Sequence, residues 1–307
     1  MLRYALLRLL GAIPTLLLVI VLAFLMVHAA PGGPFDDERA LPAEIEANIA
    51  AAYQLDQPLP QQFLRYISGL VRGDLGPSYR YRDLTVSDLI GGAFPLSLKL
   101  GAMAMLLATV IGVGAGTLAA LRQNSLLDRA LMAMAMTGIS IPVFVIAPVL
   151  VLLLAVHLQW LPAGWSGTSA GGRFVLPVVS LALPQIAYIA RLTRASMIDV
   201  LASDFIRTAR AQGLGTFTIV RLHALKPAML PVLSYMGPAI AAILTGSVVV
   251  EEIFGIPGLG QHFVRGALNR DYTLVLGIVV FYAALVILLN LVVDLLYGVI
   301  DPRIRQR

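Results

Sequence analysis

The amino-acid sequence predicts an all-α membrane protein with six transmembrane helices, and two observations carry that prediction. First, 59% of the 307 residues are hydrophobic and only 13% are charged, whereas a soluble domain carries about 25% charged residues. Second, six stretches approach or exceed the roughly 20 apolar residues that a helix needs to cross a bilayer. So much apolar side chain requires lipid, rather than water, as its surroundings.

The six predicted spans differ in quality. The fourth is the weakest, because its uncharged run ends at Arg191 and because Pro177 and Pro184 interrupt it. A kinked helix is still acceptable in a membrane bundle, where neighbouring groups satisfy the freed carbonyls. The first run is uncharged over 22 residues and lacks a good cleavage site, so we interpret it as a transmembrane helix and not as a cleaved signal. The spans are approximately 9–30, 97–121, 131–156, 174–192, 228–250 and 273–297.

The basic residues of the loops predict the orientation. Cytoplasmic loops are enriched in Lys and Arg, and long loops contribute little to this rule. With both termini in the cytoplasm, the inside segments hold 13 of the 22 basic residues. Five of the other nine lie in the long segment 31–95, together with nine acidic residues. We therefore predict a multi-pass protein with cytoplasmic N- and C-termini.

Two polar segments interrupt the spans. Residues 31–95 are predicted to lie outside and to contain helical stretches at about 43–53 and 61–71. Residues 193–227 are predicted to lie in the cytoplasm as two short helices separated by Gly213 and Gly215. The chain thus divides into an N-terminal transmembrane helix (1–30), an outside segment (31–95) and a five-helix core (96–307) that includes the cytoplasmic segment.

Several kinds of chemistry are disfavoured by composition. The chain has no cysteine, and its four histidines are far apart in sequence, so we expect no metal site. Neither of its two lysines stands in a phosphate-binding Gly-Lys-Ser/Thr motif, so we expect no ATP bound by that route. No carboxylate falls clearly at the middle of a span, which disfavours proton coupling. We found no catalytic constellation and predict that the chain is not an enzyme.

Small residues in the second span predict close helix packing. Gly112, Gly114 and Gly116 follow one another at alternate positions. Glycine lets two membrane helices approach closely because it has no side chain.

The cytoplasmic segment carries a family resemblance. The sequence Phe205-Ile-Arg-Thr-Ala-Arg-Ala-Gln-Gly-Leu214, continuing to Pro231, resembles the EAA loop of ABC importer permeases, without that loop's glutamate. Similar matches in order along the chain occur near its start, at 53–58, 73–78, 251–261, 267–272 and 301–303. The chain therefore resembles, over almost its whole length, the permease subunits of bacterial binding-protein-dependent ABC peptide importers, and most of all their oligopeptide branch.

The resemblance implies a type I importer permease fold in the bacterial inner membrane. Its implied partners are a second homologous permease subunit, two ABC ATPase subunits, a periplasmic peptide-binding protein, the lipid bilayer and a peptide substrate, with no nucleic acid. ATP and Mg would bind to the ATPases, and this chain would bind no cofactor. The implied function is the ATP-driven import of oligopeptides from the periplasm to the cytoplasm.

Three groups of site residues follow from this interpretation. The ATPase-coupling segment would use Arg207, Thr208, Ala209, Arg210, Gly213, Leu214 and Arg221, although basic residues are common in any cytoplasmic loop. The loop after the fifth span could be a plain turn or an outer gate formed by Phe254, Gly255, Ile256, Pro257, Gly258, Leu259 and Gly260. Polar residues that could line the peptide pathway are Ser140, Ser234, Thr245, Asn290 and Asp294, the last of which could equally be a structural partner.

Alternative functions remain open from the sequence. Within the same family, the substrate could be a dipeptide, a nickel chelate or a peptide antibiotic. Outside it, the chain could be an ion-driven secondary transporter, which the lack of mid-membrane carboxylates disfavours. A structural or sensory membrane protein is disfavoured by the coupling segment and by the gate-like loop.

Overall fold

The computed structural model describes residues 2–29, 56–81, 83–165 and 172–300 of the chain, with side chains described for 10–29, 56–81, 83–165 and 172–293. The predicted helical stretch at 43–53 lies outside these ranges, whereas that at 61–71 is confirmed as a helix. The described helices are α1 (Leu2–Ala29), α2 (Leu59–Val71), α3 (Val86–Leu121), α4 (Leu126–Ser140), α5 (Val143–Leu150), α6 (Val175–Leu201), α7 (Asp204–Ala211), α8 (Thr216–Thr218), α9 (Leu225–Ala228), α10 (Leu230–Phe254), α11 (Leu259–Leu268) and α12 (Tyr272–Ile300). Two π-helical stretches, Val151–His157 and Ile219–Ala224, extend α5 and α8.

The membrane-spanning helices agree with the predicted all-α fold. Among the described residues, α1, α3, α6, α10 and α12 are each long and apolar enough to cross a bilayer. The pair α4 and α5 passes the same test together, and it makes a sixth span if the bent pair crosses once. The helix α3 is 36 residues long and begins at Val86, so the predicted boundary at residue 95 falls inside it.

The predicted third span is broken into two helices that are sharply bent, which the sequence analysis did not anticipate. The axes of α4 and α5 differ by 106° across the break at Ile141 and Pro142. Proline lacks an N–H group and disfavours helical backbone in the residue before it. Ile141 accordingly has an extended conformation, with φ −94° and ψ 121°.

The fourth span, which appeared weakest by sequence, is the most enclosed. In α6, 56% of the most apolar window is buried inside the chain, against 17–33% in the other four straight spans. A helix that is surrounded by protein has less need of an apolar surface than one that faces lipid, so a weak hydropathy signal does not exclude a span. Pro184 lies inside this helix without ending it.

The chain divides into two compact units. The first comprises Met1–Leu9, Ser97–Ile256 and Val286–Arg307, and the second comprises Leu10–Leu96 and Pro257–Leu285. In the first unit, a buried apolar cluster centred on Met197 joins α6 to the segment α7–α9. In the second unit, Leu274 and Ile278 of α12 pack with the first turns of α3.

A capping box explains why α3 begins at Val86. The hydroxyl oxygen of Thr85 accepts a hydrogen bond from the backbone N–H of Asp88 at 3.1 Å. The Asp88 carboxylate in return accepts one from the backbone N–H of Thr85 at 3.0 Å. This reciprocal pair satisfies N–H groups that the first turn of a helix leaves without partners. The spacing Thr85-x-x-Asp88 is a sequence signal for this helix start.

Candidate functional site

The predicted coupling segment folds as two short helical pieces joined by a glycine turn. The first piece, α7, ends in a Schellman motif: the N–H of Gly213 donates to the carbonyl of Arg210 at 3.0 Å, and that of Leu214 donates to Ala209 at 3.3 Å. Gly213 has φ +80°, a left-handed conformation that favours glycine. The second piece begins at Thr216. The prediction of short helices on either side of a glycine turn is therefore confirmed for residues 204–227, whereas residues 193–201, which were predicted to belong to this segment, continue α6.

One face of the coupling segment is buried against α6. Ile206 and Ala209 of α7 are buried in the cluster around Met197, together with Ile219. Leu214, just after the glycine turn, packs against the same cluster. Two of the predicted site residues, Ala209 and Leu214, thus face the interior of the chain, where they fix the segment to α6.

The other face of the segment is exposed and mixes apolar with basic side chains. Phe217 is 75% exposed and Leu222 is 61% exposed. Arg207 forms an ion pair with Asp204 within α7. The predicted site residues on this exposed side are Arg207, Thr208, Arg210, Gly213 and Arg221.

The predicted gate loop is well packed rather than projecting. In the first unit, Phe254 and Ile256 are buried, and the carbonyl of Phe254 accepts a hydrogen bond from the N–H of Trp165 at 2.8 Å. Gly255 ends α10 with φ +66° and is exposed. In the second unit, Pro257 is exposed, whereas Gly258, Leu259 and Gly260 are buried.

Two of the five predicted pathway residues share one uncovered stripe of α10. The exposed positions of that helix recur every three or four residues, as one face of a helix requires. Ser234 and Thr245 lie on this stripe, and their hydroxyls donate to carbonyls one turn earlier, at 3.2 and 3.0 Å. The stripe consists of Pro231, Ser234, Pro238, Ala242, Thr245, Val249 and Glu252.

The other predicted pathway residues are dispersed. Ser140 is exposed at the end of α4. Asn290 of α12 lies against Gly237 of α10, so closely that a side chain at residue 237 would meet its carboxamide oxygen. Asp294 belongs to α12, but its side chain lies outside the described residues.

A buried carboxylate in the second unit was missed by the sequence analysis. Asp271 is fully buried at the start of α12 and accepts hydrogen bonds from the hydroxyl of Ser78 and from the N–H groups of Tyr79 and Arg80, at 3.2 and 3.3 Å for the latter two. It also accepts from the N–H of Leu274 at 3.2 Å, as a helix N-cap does. Two sequence motifs of the family resemblance, at 73–78 and 267–272, therefore meet in space.

Within the described part of the chain, no group of three His, Asp or Glu side chains could hold a metal ion.

Comparison with protein families identifies the chain. The model described as "Binding-protein-dependent transport system inner membrane component" matches residues 112–306. A companion model, described as "Binding-prot-dependent transport system membrane comp, N-term", matches residues 1–100. The chain belongs to this family of inner-membrane transport components. As a permease of this family, it is a transport subunit.

Curated relatives match this chain over nearly its full length. The oligopeptide transport system permease protein OppB of Salmonella typhimurium is 56% identical over 306 residues, which cover 99% of this chain and 100% of the relative. The OppB protein of Haemophilus influenzae is 53% identical over the same coverage. The dipeptide transport system permease protein DppB of Bacillus subtilis is 42% identical, covering 99% of this chain and 98% of the relative.

Solved structures share the fold. An inward-facing structure of the MetNI methionine ABC transporter matches with a TM-score of 0.56 and 18% identity, covering 69% of this chain and 96% of that chain. An amino acid ABC transporter crystallised with histidines matches with a TM-score of 0.50 and 19% identity, covering 70% and 94%. The predicted fold of an ABC importer permease is thus confirmed.

Proposed function

We propose that this permease imports oligopeptides into the cytoplasm as one half of a pore, driven by ATP hydrolysis in separate subunits. The observation that carries the substrate class is identity over the full length: 56% to a permease named for oligopeptides, against 42% to one named for dipeptides. The proposed assembly contains a second homologous permease, two ATPases that bind Mg and ATP, and a peptide-binding protein outside. Both termini of this chain lie in the cytoplasm.

The coupling segment is proposed to bind an ATPase subunit through its exposed face. Phe217 and Leu222 are large apolar side chains on a surface that also carries Arg207, Arg210 and Arg221. Aromatic residues and arginine are enriched in the centres of protein interfaces. The opposite face is anchored to α6 by Ile206 and Ala209, so a displacement of the segment would also move this membrane span.

The peptide path is proposed to run along the uncovered stripe of α10. Ser234 and Thr245 bond to their own helix, and each hydroxyl oxygen retains a lone pair that can accept from a peptide N–H. The hydroxyls of Ser234 and Thr245 impose no charge preference on peptides of varied sequence, and Glu252 is the one acidic residue on this stripe. The loop 254–260 is proposed to close this path at its outer end.

Transport by the reconstituted complex tests the proposed function. The complete assembly in liposomes, supplied with its binding protein, should accumulate a radiolabelled pentapeptide when ATP is present on the cytoplasmic side. An unlabelled pentapeptide should compete for uptake better than an unlabelled dipeptide. Uptake that follows an ion gradient without ATP would overturn the proposal, and preference for the dipeptide would move the assignment to the dipeptide branch.

The Gly213 turn offers a test of the coupling segment. Gly213→Val should abolish uptake and leave the protein in the membrane, because a left-handed backbone costs an ordinary residue about 1–2 kcal/mol, and more with a branched side chain. No atom lies within 4 Å of a Cβ at residue 213 or 215, so the two positions offer the same open space to the Cβ. Gly215→Val, where φ is −70°, is the matched control and should retain uptake. Normal uptake by the Gly213 variant would remove this segment from the coupling path.

A further inference from the structure

An ion pair in the first unit joins two membrane helices beside the coupling segment. Arg194 of α6 donates from Nε to Oδ1 of Asp128 at 2.6 Å and from Nη2 to Oδ2 at 2.7 Å. The two parallel bonds match the planar guanidinium to the planar carboxylate, which fixes orientation as well as distance. Asp128 stands in the first turn of α4, 66 residues before Arg194.

This pair differs from an ordinary surface salt bridge. The Asp128 side chain is 3% exposed, and that of Arg194 is 26% exposed. Exposed ion pairs contribute little because water and salt screen them, whereas a buried carboxylate depends on its partner. The other charged group beside the pair is Arg129, which lines the same open cavity but forms no hydrogen bond to Asp128 among those described.

Asp128 also holds the turn that precedes α4. Its Oδ2 accepts a hydrogen bond from the N–H of Asn124 at 2.9 Å. Its own N–H donates to the hydroxyl of Ser125, the N-cap of α4, at 3.3 Å. Asn124 adopts a left-handed conformation, with φ +64°. The carboxylate of Asp128 therefore joins the α3–α4 turn to the side of α6, and its backbone N–H is capped by Ser125 at the start of α4.

The same stretch of α6 holds the coupling segment. Met197 follows Arg194 by one helical turn, is fully buried, and packs in the cluster that includes Ile206 and Ala209 of α7. Over this turn, α6 thus contacts the coupling segment through apolar side chains and α4 through the ion pair. Apolar contacts can slide, but a bidentate ion pair resists both rotation and shear.

We propose that the Asp128–Arg194 pair is a clamp that makes α4 and α6 move together when the coupling segment is displaced. This inference rests on the proposed role of that segment. With the clamp intact, a displacement of α6 also moves the bent span formed by α4 and α5. Without it, α4 and α6 are joined only by the packing further along the two helices, so ATP hydrolysis continues but moves fewer peptides because α4 follows α6 less closely. Both residues are positioning residues, since neither touches ATP or the peptide.

The test is the number of peptides imported per ATP hydrolysed by the complete complex in liposomes. Arg194→Lys keeps the charge and loses the two-pronged geometry. The loss of one charge-assisted hydrogen bond should reduce this ratio about tenfold, with ATP hydrolysis near the wild-type rate. Asp128→Asn should behave alike, and the double variant should be no worse than either single variant, because both remove one interaction. Arg129→Gln is the matched control and should leave the ratio unchanged.

A rescue experiment separates a clamp from a merely structural contact. The chain contains no cysteine, so Asp128→Cys with Arg194→Cys can be bridged by a short, cleavable thiol cross-linker. The bridged complex should recover the ratio, and cleavage of the linker should lower it again. A normal ratio in Arg194→Lys and Asp128→Asn, or no recovery on bridging, would overturn the clamp. Wild-type uptake in the same liposomes tests the proposed function separately.

Discussion

Replacement of Gly116 by alanine should separate α3 from α6. A methyl group at residue 116 would lie 2.6 Å from the Cβ of Thr193 and 3.0 Å from the backbone nitrogen of Arg194, and would also meet the carbonyl oxygen of Ala190. Ordinary contacts of a Cβ atom begin near 3.4 Å. The atoms that it meets are backbone or a β-branched carbon, so no flexible side chain can move aside. The two helices would have to part by about 1 Å, and such a gap forfeits a quarter to a half of each atomic contact it opens.

The expected loss of stability can be estimated from this geometry. Overpacking of a close-packed interior costs about 1–3 kcal/mol. The higher helix propensity of alanine would return about 0.5–1 kcal/mol in a soluble helix. We therefore expect a net loss of about 1 kcal/mol, and at most about 2.5 kcal/mol, seen as a fall of a few degrees in the unfolding temperature. The assay is thermal unfolding of the purified permease in a mild detergent.

The same helix provides the controls. Gly114→Ala should cause no loss, because nothing lies within 4 Å of a methyl group there. Gly112→Ala should resemble Gly116→Ala, because its methyl group would lie 2.8 Å from two side-chain carbons of Ile189. Equal unfolding temperatures for the Gly114 and Gly116 variants would refute the argument from close packing.

Two further predictions concern the second unit. Asp271→Asn keeps one acceptor oxygen where the carboxylate has two, so it should lower the free energy of unfolding by about 1–3 kcal/mol and speed amide exchange at Tyr79 and Arg80. Its control is Asp74→Asn, because Asp74 is exposed and its carboxylate accepts a hydrogen bond from the N–H of Gly76. Similar losses in both variants would contradict this account. Burial, and then the charge of Arg265, lower the pKa of His262 from its usual 6.5. The folded chain then binds fewer protons than the unfolded chain, so its unfolding temperature should fall as the pH drops through 6.5. His262→Gln should flatten that dependence relative to the matched variant His157→Gln, and an unchanged slope would exclude His262 as its source.

Local patterns predicted much of the architecture. A membrane span is a contiguous apolar run, so hydropathy located α1, α3, α6, α10 and α12 without knowledge of their neighbours. The glycine turn at Gly213 was also predicted, because a Schellman motif involves only the residues around it. Two local signals were available but not used. Pro142 explains the bend between α4 and α5, and the spacing from Thr85 to Asp88 explains the early start of α3.

Glycine packing shows where local patterns fail. Gly112, Gly114 and Gly116 looked equivalent in sequence, and we predicted close packing for all three. The structure confirms this for Gly112 and Gly116, which face α6, and shows the prediction to be wrong for Gly114, which has open space beside it. Residues two apart on a helix point in different directions, whereas those four apart share a face. Helical periodicity thus places Gly112 and Gly116 on one face and Gly114 on another, but only the position of α6 decided which of these faces is in contact.

The sequence by itself determined that this is a helical membrane protein, and its motifs pointed to a family of transport permeases. Those properties depend on composition and on residues close together in the chain. Only the tertiary structure decided which distant side chains meet: Asp128 with Arg194 across 66 positions, and Ser78 with Asp271 across 193. Each such pair is one of many that the sequence allows, and it is selected by the path of the helices between its members. The tertiary structure likewise decided that the carboxylates of Asp128 and Asp271 are buried, as is that of Glu251.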